Sequence, residues 1–129
     1  MSENDTAHVA GQHTAHEVHV AHRVAGGATV VSLHGVIDAL TAPALSLRLD
    51  ALTTGPELDL VLDLRPVTFI DCAGLGVLCR ARNRMLARQG RLRLITESAS
   101  LRRILRVTGL GDVFEVHTRP PQPLPGPQG

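Results

Sequence analysis

Residues 58–64 read LDLVLDL, and no other stretch restricts the fold as tightly. Leucines at 58, 60, 62 and 64 give a β-strand one apolar face, while Asp59, Val61 and Asp63 occupy the other. On either side the apolar period lengthens. Upstream, Leu45, Leu49 and Leu52 line one stripe of a helix that Thr41 can cap, with Pro43 in its first turn and Gly55-Pro56 as its stop. Downstream, residues 73–89 space Leu75, Leu78, Cys79, Met85 and Leu86 as a helix ending at Gly90. A strand between two such helices needs long crossovers, which calls for a partly parallel sheet with helices packed on it.

The rest of the chain agrees. Val18, Val20 and Val24 alternate with Glu17, His19 and Arg23, and Gly26-Gly27 turns this strand into ATVVSLHG at 28–35 as a hairpin. Arg65-Pro66 ends the 58–64 strand, and VTFI at 67–70 reads as an apolar link to the next helix. RLRLIT at 91–96 is a strand, Ser98 caps a helix burying Leu101, Ile104 and Leu105, and VFEVH at 113–117 is the last strand. The expected class is α/β, a mixed sheet in the order ββαβαβαβ over residues 17–118. Residues 1–16 lack a period, and the tail from 119 to 129, RPPQPLPGPQG, is Pro-rich; both read as disordered.

Composition removes several functions. With two Phe and no Trp or Tyr, the chain has no stacking platform for bases, and no nucleic-acid partner is expected. No window is long and apolar enough to span a membrane, and the start lacks the pattern of a signal peptide, so the expectation is a cytoplasmic protein without a membrane partner. Cys72 and Cys79, about 10 Å apart along one helix, are too distant for a disulfide. All thirteen basic residues are Arg; residues 1–79 sum to −6 and residues 80–129 to +7. Arg80, Arg84 and Arg88 form a like-charged helical stripe that reads as a solvated face or a surface for an acidic protein.

Candidate chemistry is sparse. His13, His16, His19 and His22 are spaced by three, but the Val alternation makes 17–24 a strand, which sends His19 and His22 to opposite faces; no metal site is expected. Gly74-Leu75-Gly76 lacks the third glycine of a dinucleotide fingerprint, because Cys79 stands there, so no cofactor follows. Asp63 and Asp71 have no base or nucleophile beside them, and no enzyme is expected. The two glycines instead keep the helix start slim, so that another surface can approach.

Three stretches carry a resemblance: VSLHGVIDALTAPAL at 31–45, DLVLDLRPVTFIDCAGLGVLCRARNRMLARQGRLRLITES at 59–98 and LRRILRVTGLGDVFEVH at 101–117. Together they resemble the STAS domain of bacterial anti-sigma factor antagonists. The family's Gly-x-x-Asp is matched by Gly35 and Asp38, its D-S-S/T-G-L-G segment by Asp71-Cys72-Ala73-Gly74-Leu75-Gly76, and its T-G-L turn by Thr108-Gly109-Leu110.

The resemblance implies a protein-binding switch. Family members bind an anti-sigma factor with a GHKL-type serine kinase fold, free the sigma factor for transcription, and are switched off when the kinase phosphorylates the serine before the glycine. The implied partner-binding residues are Asp38, Asp71, Cys72, Ala73, Gly74 and Gly76, together with Val77, expected to face outward. Ala73 occupies the phosphoacceptor position and has no hydroxyl, while Cys72 replaces the preceding serine, so the implied function is antagonism without the usual switch. A weak homodimer is carried as a further partner. The alternative is a degenerate module acting as an assembly or scaffold domain in a signalling complex or a lipid transporter.

Overall fold

The computed structural model describes residues 18–25 and 27–121. The expected disordered start at 1–16 and the tail from residue 122 onward lie outside the described residues, as does Gly26. The elements are β1 (Val18–Ala25), β2 (Ala28–Ile37), α1 (Ala42–Thr53), β3 (Asp59–Asp63), β4 (Val67–Ile70), α2 (Cys72–Ala87), β5 (Arg91–Ile95), α3 (Ala99–Val107) and β6 (Glu115–His117). Strands β1 and β2 form the expected antiparallel hairpin, with Gly27 at φ +81° in its turn. The sheet then runs β1-β2-β3-β5-β6, and every pairing after the hairpin is parallel.

The order is therefore ββαββαβαβ, one strand more than expected. VTFI is not a link: Val67, Phe69 and Ile70 pair in parallel with Gly35, Val36 and Ile37. Strand β2 is long enough to hold β3 along its first half and β4 along its second. The jog between the two halves falls at Gly35, whose φ of +99° accommodates the register shift and whose N–H donates to the Pro66 carbonyl at 3.2 Å. Four residues without clear alternation leave little local signal for such a strand.

One sheet face and all three helices share a core. Val31, Leu33, Leu60, Leu62, Leu92 and Leu94 pack with Leu45 and Leu49 of α1, Leu75, Leu78 and Met85 of α2, and Leu101 and Leu105 of α3. The expected leucine face of β3 is present from Leu60 onward; Leu58 precedes the strand and is exposed. Val24, near the end of the edge strand β1, is exposed too, and Leu86 and Ile104 lie on the rims of their helices rather than inside.

The arginine stripe of α2 runs along α1, with Arg80 exposed and Arg84 and Arg88 half-buried. Arg80 grips Asp50 of α1 through two hydrogen bonds of 3.0 and 3.1 Å, and Arg84 approaches the same carboxylate at 3.5 Å. Arg88 donates to the carbonyls of Thr53 and Gly55, groups left open at the end of α1. The hydrogen bond from Arg80 holds the Asp50 carboxyl below its usual pKa. Like charges on one helix are thus relieved by the helix beside it.

Candidate functional site

The crossovers bring two loops to one end of the sheet. Ile37 ends β2 and Ile70 ends β4; the two are paired, and the Asp71 N–H donates to the Ile37 carbonyl at 3.1 Å. The loop opening at Asp38 and the helix opening at Asp71 therefore leave the sheet side by side, although 33 positions separate them in sequence.

In the first loop the Asp38 carboxylate accepts from the N–H groups of Leu40 at 2.9 Å and Thr41 at 3.1 Å, an Asx-type turn. Thr41 precedes α1 as expected, but its hydroxyl does not cap the helix. It donates to the Val36 carbonyl at 2.8 Å and accepts from the Asp38 N–H at 2.9 Å, tying the loop back to β2. With both ends fixed, Leu40 is pushed into solvent at 72% exposure.

In the second loop Asp71 is extended, and its carboxylate accepts from the Gly74 N–H at 3.1 Å, a side-chain N-cap. Gly74 is buried. A Cβ there would fall 2.6 Å from Ile70 Cγ1 and 2.8 Å from both Ile37 Cγ2 and the Ile37 carbonyl oxygen, so glycine lets α2 start directly on the ends of β2 and β4. Gly76 is the opposite case, exposed and with nothing within 4 Å of a Cβ.

The ridge that faces outward is thus Cys72, Gly76 and Arg80, spaced by four residues, with Ala73 half-buried against the core beside it. Val77 is corrected: at 8% exposure it belongs to the core, because α2 packs against α1 as well as the sheet and buries a wider arc than a helix touching the sheet alone. Asp71 and Gly74 act on the fold: one caps the helix and the other admits it. Leu40 and Phe69, the latter 54% exposed on β4, were not singled out from sequence. The D-x-x-T spacing of Asp38 and Thr41 carried a signal for Leu40, whereas Phe69 was concealed by reading its strand as a link.

The carboxylates near this end of the sheet are engaged within the fold. Burial alone would push the Asp63 carboxyl up, but the guanidinium and N–H of Arg65 outweigh it and hold the pKa below its usual value. Asp71 is occupied by its cap. Among the described residues no three His, Cys, Asp or Glu side chains are grouped to hold a metal ion; His13 and His16 lie outside them. Cys72 and Cys79 are free thiols. No helix among the described residues is long and apolar enough to cross a membrane.

A sequence model of the STAS domain matches residues 19–121. The chain belongs to the STAS domain family. It is 37% identical over 82 residues to the anti-sigma-B factor antagonist of Listeria monocytogenes, covering 64% of this chain and 72% of the relative. Over 93 residues it is 33% identical to the anti-sigma-F factor antagonist RsfA of Mycobacterium tuberculosis, covering 70% and 72%. The crystal structure of an anti-sigma factor antagonist from Mycobacterium paratuberculosis superposes with a TM-score of 0.71 at 28% identity, over 79% of this chain and 86% of that one. Within this STAS domain the Asp38 loop and the start of α2 leave the paired ends of β2 and β4 side by side.

Proposed function

We propose that this protein is an anti-sigma factor antagonist that docks on an anti-sigma factor of GHKL-type kinase fold through the Leu40 loop and the Cys72–Gly76 ridge. Binding frees the sigma factor, and no serine at position 73 is available to reverse it. The observation that carries this reading is the open space over Gly76 on the helix that starts next to the loop of exposed Leu40, each start held by a carboxylate that accepts backbone N–H groups. A partner backbone can approach a glycine there without displacing anything of the fold. The relatives' names support the class of partner.

Phosphorylation of such a ridge would place close to two negative charges in the contact, which a bound partner must desolvate. Ala73 removes that option, and the thiol of Cys72 is not a substrate for serine phosphorylation. The test is to mix the protein with a preformed complex of a GHKL-fold anti-sigma factor and its sigma factor, with ATP present. Expected are release of the sigma factor on size exclusion and an unchanged intact mass for this protein. A mass gain of one phosphoryl group, or an intact sigma complex, refutes the proposal.

A further inference from the structure

Helix α1 carries apolar side chains on both of its faces. Leu45 and Leu49 enter the core, while Pro43, Ala44, Leu47 and Ala51 are exposed on the opposite side, with Arg48 beside them. A surface helix ordinarily turns polar residues to water, as α3 does with Arg102, Arg103 and Arg106, and a helix apolar all round is one that something covers. Pro43, Leu47 and Ala51, four residues apart, form one stripe along α1. Leu47 is 71% exposed, and Leu40, at 72%, lies in the turn that leads into the helix.

The packing of α1 against α2 fixes where this stripe lies. The two helices leave the same end of the sheet and run the same way. Asp50 meets Arg80, the Thr53 hydroxyl accepts from Arg84 at 3.3 Å, and the Thr53 carbonyl accepts from Arg88, contacts separated by 30, 31 and 35 positions in sequence. One turn back from Asp50 and Arg80, the same offset sets Ser46 beside Gly76. The open space over Gly76 is therefore part of the furrow between the two helices. On α1, Leu47 is about 60° round from Asp50 toward solvent, which puts it on the rim of that furrow, whereas Arg48 is about 160° round, on the flank turned away from α2.

We infer that Leu47 is a contact residue of the anti-sigma docking surface, and that the partner covers the α1 stripe with an apolar helix face, one side chain of which drops between Leu47 and Gly76. This inference deepens the function proposed above and rests on it. The stripe follows directly on the Leu40 loop and shares its furrow with Gly76, so a single partner seated on the α2 ridge covers both. At the far end Arg80 and Arg84 are engaged by Asp50, so the contact made at Leu47 is apolar and its strength should not depend on salt.

The test is calorimetric titration of the full chain and its variants with the purified anti-sigma factor of the release assay. Leu47→Glu keeps a good helix former at an exposed position, so it should melt with the parent yet bind at least about tenfold more weakly at low and high salt alike. Leu47→Ala, which adds no charge, guards against a folding defect and should lose a smaller part of the affinity. Arg48→Ala should bind as the parent does. Gly76→Leu separates the two claims. Weak binding by Gly76→Leu with full affinity in Leu47→Glu overturns this inference and leaves the proposed function standing, whereas a parent that does not bind the anti-sigma factor overturns both. Equal losses in Arg48→Ala and Leu47→Glu overturn the inference as well. So does a parent dimer that Leu47→Glu dissociates while affinity for the anti-sigma factor is unchanged, which would assign the stripe to a second copy of this chain.

Discussion

Gly74 and Gly76 are two residues apart in the first turns of one helix, and the structure gives their substitution opposite signs. At Gly76 a Cβ meets nothing within 4 Å, and the backbone is ordinary helix, since the glycines at positive φ are elsewhere. Gly76→Ala therefore collects the helix-propensity difference, about 0.8–1 kcal/mol in favour of the fold, without a steric cost. In a domain of this size that raises Tm by about 4 °C. At Gly74 the added carbon falls 2.6 Å from Ile70 Cγ1 and 2.8 Å from a backbone oxygen that has no freedom to swing away. Gly74→Ala should then lose roughly 1–3 kcal/mol through overpacking. Urea denaturation of both variants beside the parent reads these signs directly. Gly76→Leu extends the test to binding, since it should fold as well as the parent yet lose at least about tenfold in affinity for an anti-sigma factor, or 1.4 kcal/mol. A destabilised Gly76→Ala, or a Gly76→Leu with full affinity, would refute the reasoning that Gly76 is open because a partner comes there.

Three further outcomes are expected. Ala73→Ser places a hydroxyl where the proposed function puts the acceptor and should gain one phosphoryl group from a GHKL-fold kinase with ATP, at a stability change of at most about 0.5 kcal/mol; intact mass and a melting curve check both. Asp71→Ala loses the N-cap and about 1 kcal/mol, whereas Asp71→Asn keeps an acceptor and most of the stability; Asp38→Asn should likewise fold but bind more weakly, by an amount that added salt diminishes. Glu115, hydrogen-bonded by Arg91 and His117, has its pKa lowered from 4.5 to about 2, so its contribution is present above pH 4.5 and is lost as pH falls toward 2. The group is partly exposed, so that contribution is under about 1 kcal/mol, and Glu115→Gln should flatten this part of the acid stability profile.

The period of the apolar residues exposed most of the fold because each strand and helix here makes its core from side chains of one face. One cap was legible for the same local reason, since Ser98 accepts from the Leu101 N–H at 3.1 Å, whereas Thr41 precedes α1 without capping it and the cap from Asp71 had no reading in the sequence. Reading failed where the deciding partner is distant in sequence. Val67–Ile70 becomes a strand only because β2, thirty residues upstream, extends past the end of β3. Val77 turns inward because α1 flanks α2, and no spacing within α2 reports that neighbour. At the site, the residues of the motif split into those that build the surface and those that present it, a division that depends on the 2.6 Å approach at Gly74 and the open space at Gly76.

The division of charge between the two halves of the sequence has a structural origin of the same kind. Parallel strands joined by crossovers place early residues beside late ones, so acids of the first half meet arginines of the second. Strand β3 lies in register with β5, and Arg93 donates to both oxygens of Asp59, at 2.8 and 3.0 Å. One helix out, Asp50 of α1 meets Arg80 and Arg84 of α2. A sum taken over the second half overstates its positive field, because Arg80, Arg84 and Arg93 are paired with acids of the first half and Arg91 with Glu115.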